Sequence, residues 1–240
     1  MNFMKTIFVS LLAIIIFSSC DMMGERIKGN GNLKTVDRQI SDVTKINVIG
    51  SLEATVETGS SSLQVEGDEN LLQYIETSTD NGTLTIKIKN NIHFVTSNSI
   101  KVHVTLPRVA ELKIIGSGKI ISNKQLINDE KTNLKIIGSG KIDVKIHAPE
   151  INADIKGSGD IIVEGETKDL EASIKGSGTF KGESLKSENA SISIAGSGDV
   201  YVFSDIRLKI SIAGSGNVKY KGNAVVETNV AGSGSVKRLP

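Results

Sequence analysis

The sequence predicts an all-β fold, a parallel β-helix, and three observations point to it. Gly-Ser-Gly occurs seven times, starting at Gly116, Gly138, Gly157, Gly176, Gly196, Gly214 and Gly232, at spacings of 22, 19, 19, 20, 18 and 18 residues. Each copy sits in the same alternating apolar frame. No segment after residue 20 keeps an apolar 3.6-residue period, and the best helix candidate, Glu69 to Thr77, is short. A strand-like repeat of this length satisfies its buried face only by stacking on its neighbours.

The frame is read by aligning the copies on the first glycine. Two residues before it stand Ile114, Ile136, Ile155, Ile174, Ile194, Ile212 and Val230. Four before it stand Leu112, Leu134, Ala153, Ala172, Ile192, Ile210 and Thr228. Two after the second glycine stand Ile120, Ile142, Ile161, Phe180, Val200, Val218 and Val236. The second glycines themselves are Gly118, Gly140, Gly159, Gly178, Gly198, Gly216 and Gly234. All these positions share one parity with both glycines of the motif. In strands, one parity is one face, and β-branched residues favour it. A propeller blade needs about 40 residues, and a meander would not align like columns. Parallel coiling stacks equivalent residues at about 4.8 Å per rung.

Each rung is expected to run strand, Gly-Ser-Gly, strand, then a polar turn such as Glu164-Gly-Glu166 or Lys221-Gly-Asn223. Glycine at both inward positions lets the chain bend or approach its neighbour closely. The serines Ser117, Ser139, Ser158, Ser177, Ser197, Ser215 and Ser233 are expected to form an outward stripe. Were the glycines instead to turn a corner, those serines could face inward. Ile46, Val48, Gly50, Leu52, Ala54 and Val56 repeat the register with Leu52 in place of the second glycine, an eighth, degenerate rung. About eight rungs make a rod roughly 40 Å long. Thr83 to Lys89 and Ile100 to Leu106 are strand-like stretches of a less regular N-terminal cap.

The chain divides into a leader (1–19), a Gly-rich tether (20–32, with Lys28-Gly-Asn-Gly-Asn32), an N-terminal β region (33–110) and the regular repeat (111–240), with 33–240 one continuous domain. Lys5, the apolar run Ile7 to Phe17 and Phe17-Ser18-Ser19-Cys20 read as a signal peptide ending in a lipobox, with Cys20 the lipid-bearing residue. The expected partner is a membrane, held through that lipid. Cys20 is the sole cysteine, so a disulfide framework and a thiolate metal site are excluded. Removal of residues 1–19 takes Lys5 and lowers Lys+Arg from 28 to 27, against 27 Asp+Glu. That neutrality argues against nucleic acid. Aromatics are only 4 %, which weakens any sugar platform.

Other motifs carry little chemistry. Gly116-Ser-Gly-Lys119 and Gly138-Ser-Gly-Lys141 echo a phosphate loop, but Ile120 and Ile142 stand where Ser or Thr is needed and no helix follows. His93, His103 and His147 form no ligand set. Asp160 and Asp199 share a column two rungs apart, roughly 10 Å, with Thr179 between, near the upper range for an inverting carboxylate pair. Asp160 over Lys141 reads more simply as a salt-bridge ladder. No cofactor, metal or catalytic residue is expected. The outward columns run Ile115, Ile137, Lys156, Lys175, Ala195, Ala213, Ala231 and Lys113, Lys135, Asp154, Ser173, Ser193, Ser211, Asn229.

The repeats after a lipoprotein signal, together with Val65-Glu-Gly-Asp-Glu-Asn-Leu-Leu72, Tyr74-Ile75-Glu76 and Asp80-Asn-Gly-Thr-Leu84, resemble the DUF2807 family of auto-transporter adhesin-like proteins (head GIN domain), as a lipoprotein of Bacteroidetes type. The resemblance spans roughly residues 43 to 235. It implies a right-handed β-helix, a cell-envelope location and no catalytic residues. The expected function is a lipid-anchored, non-enzymatic envelope protein, an adhesin or surface binding module with a glycan or protein ligand on a β-helix face. A carbohydrate-active or carbohydrate-binding protein, and a scaffold or sensing accessory for another protein, are the alternatives.

Overall fold

A computed structural model describes residues 24–96 and 98–240, so the leader and Cys20 lie outside the described residues. From Glu111 onward the chain winds as a parallel solenoid of about six turns. Six is the number of intervals between the seven Gly-Ser-Gly corners. The eighth rung exists, but an excursion through residues 59–110 separates it from the continuous coil. Glu111–Gly116 lies in parallel register on Lys45–Gly50, Ile114 opposite Val48 and Gly116 opposite Gly50.

Two long sheets result. One stacks Glu111–Gly116, Thr132–Gly138, Glu150–Gly157 and their successors up to Val225–Gly232; the other stacks the strands that follow each corner, from Lys119–Ile127 to Ser235–Arg238. The aliphatic columns face inward. Ile114, Ile136, Ile155, Ile174, Ile194 and Ile212 are all buried, as are Ile120, Ile142, Ile161, Phe180, Val200 and Val218. Burying one such side chain contributes roughly 1.5–3 kcal/mol, and each coil contributes several. The last coil departs from this pattern: Thr228 is exposed and Val230 is 40 % exposed.

The corners explain the glycines. The first glycine of each motif has φ between +117° and +133°, a region that favours glycine. A Cβ at Gly138 would also overlap the carbonyl oxygen of Gly116 one coil below. The second glycine has a different task. A Cβ at Gly159 would stand 2.6 Å from Ile136 Cγ2 and 2.7 Å from the Gly140 oxygen. Its missing side chain makes room for the isoleucine of the coil beneath. The same fit recurs up the stack, with Gly178 against Ile155, Gly198 against Ile174, Gly216 against Ile194 and Gly234 against Ile212. At the bottom, Gly118 meets Val48 of the degenerate rung instead. The backbone ladder runs on through the bend: Ser139 N–H donates to the Gly116 carbonyl at 2.9 Å and Lys141 N–H to the Gly118 carbonyl at 3.0 Å.

Glu164-Gly-Glu166 is not a free turn. It stays paired inside Asp160–Gly176, with Gly165 bending the strand at φ +123°. The second corner comes later, where inward polar side chains satisfy carbonyls that the bend frees. Asn128 Nδ2 donates to the Val109 and Lys131 carbonyls, Thr167 Oγ1 to the Asp169 carbonyl, and Ser204 Oγ to those of Glu188 and Arg207. Buried polar groups need such partners.

The excursion closes the other end. Thr83–Ile88 and Lys101–Leu106 continue the two sheets in parallel beneath Lys45–Gly50 and Glu53–Thr58. Ile75–Asp80, Ser62–Asp68 and Leu33–Arg38 then add antiparallel strands. Asn81 and Gly82, both at positive φ, form the hairpin turn into Thr83. The guanidinium of Arg38 ties this cap together, donating to the carbonyls of Ile75 at 2.6 Å and Leu72 at 2.8 Å. The best helix candidate of the sequence, Glu69 to Thr77, holds only a 3-10 turn, Leu72–Tyr74. The expected tether is also partly structured: Glu25–Lys28 pairs in parallel with Ile92–Val95.

Candidate binding faces

The buried polar side chains of the repeat are engaged at the corners and its charged ones lie on the outside, so the candidate sites are faces. The seven motif serines stand at the corner edge, none of them buried. The chain turns a corner there, and the serines nevertheless stand outside, because the glycine on either side takes the tight interior approach. They form an edge between the two sheets.

Asp160 and Asp199 occupy the column expected of them, with Lys141, Thr179 and Asn217 in register. Lys141 pairs with Asp143 on its own strand at 2.9 Å, and the expected pair with Asp160 is not among the ion pairs. Asp199 accepts from Asn217 Nδ2 at 2.9 Å, and Asn217 accepts from Ser235 Oγ at 2.7 Å. This is a hydrogen-bonded surface ladder. His93 and His147 are exposed and His103 half-buried; His147 Nδ1 lies 3.8 Å from Glu166. Among the described residues no three His, Cys, Asp or Glu side chains group to hold a metal, and no helix is long and apolar enough to cross a membrane.

The outward side chains sort sharply by charge pairing. On the sheet that follows the corners, the N-terminal lysines each have a carboxylate: Lys101 with Glu66, Lys119 with Glu53, Lys124 with Glu57, Lys141 with Asp143 and Lys145 with Glu164, at 2.8–3.9 Å. Further along the same face, Lys181, Lys219, Lys221 and Lys237 have none among the described residues. No ion pair there involves a residue beyond Glu166. Two aromatic rings stand between these lysines. Tyr201 lies in register with Lys181 on one side and Lys219 on the other; Phe203 lies beside Lys221. Lys219 Nζ sits 5.1 Å from the Tyr201 ring centroid, a cation–π distance. Sequence reasoning missed this column, although the same alignment on the glycines lines up Lys181, Tyr201, Lys219 and Lys237.

A second missed feature lies in the cap. Asp68 is 1 % exposed and faces no cation among the described residues; its carboxylate accepts from Thr96 Oγ1 at 2.5 Å and Asn98 Nδ2 at 2.7 Å. Those hydrogen bonds, with a smaller one from the Gly31 backbone, hold its carboxyl below the usual range against the opposing effect of burial.

Comparison with known proteins agrees with this architecture. The DUF2807 family, described as "Putative auto-transporter adhesin, head GIN domain", matches residues 42–224. A "putative adhesin" from Bacteroides fragilis superposes with TM-score 0.84 at 21 % identity, over 89 % of this chain and 100 % of its own, a likeness of fold. A "putative lipid binding protein" from Parabacteroides distasonis superposes at 0.74 with 29 % identity, and a "putative adhesin" from the same organism at 0.72 with 27 %, each over 90 % of this chain and 100 % of its own. No curated protein matches.

Proposed function

The chain belongs to the DUF2807 family, an adhesin-type family of the cell surface or envelope, and on that premise we propose that it is a lipid-anchored, non-enzymatic binding module. Cys20 carries the lipid, and the solenoid displays its two outer sheets to a partner. The observation that carries the reading is the division of labour within each coil. The interior columns are packed solid with aliphatic side chains, so ligand chemistry is confined to the long flat faces. Stacked faces of this kind suit extended partners.

Radiolabelled palmitate supplied to cells, followed by protease treatment of intact cells, tests both halves. The protein incorporates label, Cys20→Ala does not, and external protease removes the labelled band. A chain that takes up no label, or one digested only after lysis, contradicts the anchor or the exposure respectively.

A further inference from the structure

We infer that the outer face around Tyr201 and Phe203 is a binding site for an acidic polysaccharide laid along the solenoid axis. The inference rests on the binding-module reading and deepens it by naming the face and the chemical class of the partner. Three properties converge there. The first is charge without a direct partner: Lys181, Lys219, Lys221 and Lys237 form no ion pair among the described residues, although Asp199 and Glu183 share the outward parity, whereas the five lysines further down the same face are all paired. An unpaired column of like charges is unfavourable in the free protein, and a polyanion relieves it.

The second is geometry. Lys181, Tyr201, Lys219 and Lys237 follow one another in strict parallel register, about 5 Å per step and so about 14 Å end to end. A lone anion is held by donors that converge on a point. These are strung out in a line, which matches a polymer with charges repeated along its length. The third is the pair of rings. Tyr201 and Phe203 are half-buried on the outward parity, with buried Val200 and Val202 on the inward one, so part of each ring stays accessible to solvent. Such rings stack on the apolar faces of sugars. With Lys219 over Tyr201, ring and charge are offered together.

The purified protein is titrated with three probes of matched length: alginate as the carboxylated polysaccharide, dextran as the neutral one, and single-stranded DNA as the phosphate polymer. Alginate binds, and its affinity falls about tenfold between about 0.05 and 0.2 M salt. The double change Lys219→Gln with Lys237→Gln weakens it about tenfold, and Tyr201→Ala about fivefold. Tyr201→Phe, which keeps the ring, binds as the parent does, and so does the control Lys119→Gln with Lys141→Gln. Dextran binding as tight as alginate, DNA binding tighter than alginate, or equal losses in the control would each overturn the assignment. So would Tyr201→Ala without effect. The titration is made in solution, so its failure removes this ligand and leaves anchoring and exposure to the cell experiment.

Discussion

The two halves of the solenoid share an interior and differ outside. Toward the N-terminus the coils rest on an antiparallel cap, and the lysines on the sheet that follows the corners are matched by carboxylates. Toward the C-terminus the interior columns are the same up to Ile212 and Val218, yet the cationic side chains are unmatched and the final coil is exposed. The inner parity is therefore constrained by stacking along the whole chain. The outer parity is free to vary by region, and function is sought where it departs from self-neutralisation.

The sharpest way to probe the shared interior is to compare two corners. Gly176 has φ +133°, and a Cβ there would overlap the carbonyl oxygen of Gly157; Gly50 has φ +95° with nothing within 4 Å of its Cβ position. Gly176→Ala combines strain and overlap, a loss of about 3 kcal/mol. Gly50→Ala carries the strain alone, about 1 kcal/mol. Urea denaturation midpoints separate them. Equal losses would mean that the close approach between coils adds nothing to the corner.

Those corners were legible because a parallel stack writes the same constraint once per turn. Ile136, Gly138 and Gly140 look like Ile155, Gly157 and Gly159 because each meets the preceding copy. The turn count was less legible. Gly50 aligns with Gly116 in register, but no local pattern says that residues 59–110 interrupt the coil with antiparallel strands around one further parallel layer before it resumes. The pairing of Glu25–Lys28 with Ile92–Val95 was hidden for the same reason, since a single long-range contact leaves no period. The basic column was written in the alignment but reads as unremarkable until the structure shows which lysines have partners. Asp68 belongs to the hidden class, its partners Thr96 and Asn98 being ordinary loop residues in the sequence.

Asp68 sharpens the comparison at the capped end. Its carboxyl sits below the ordinary range when folded, so the stability it contributes is fully present above the unfolded value of about 3.9. It is lost as pH falls through the folded value. Gly29 and Gly31 lie against this carboxylate, which links it to the pairing of Glu25–Lys28. Below about pH 4, amide protection relative to the intrinsic exchange rate falls in Glu25–Lys28 and Ile92–Val95, while Glu150–Gly157 stays protected. Asp68→Asn removes that pH dependence. An unchanged pH profile in the variant would assign the loosening to other carboxylates.

The smallest effect concerns the lysines themselves. Lys141 and Asp143 are 2.9 Å apart, with side chains 40 % and 42 % exposed, so their attraction is screened and partly offset by side-chain ordering. Lys141→Gln therefore lowers stability by about 0.5 kcal/mol at low salt, and the difference vanishes as salt rises. Lys237 has no carboxylate partner among the described residues and lies in register beside Lys219. Lys237→Gln removes a repulsion, so it loses no stability at low salt, and added salt stabilises the parent more than the variant. Thermal midpoints across a salt series read both slopes. Slopes of the same sign would show that the two halves of the face are electrostatically alike and would remove the contrast on which the polysaccharide site rests.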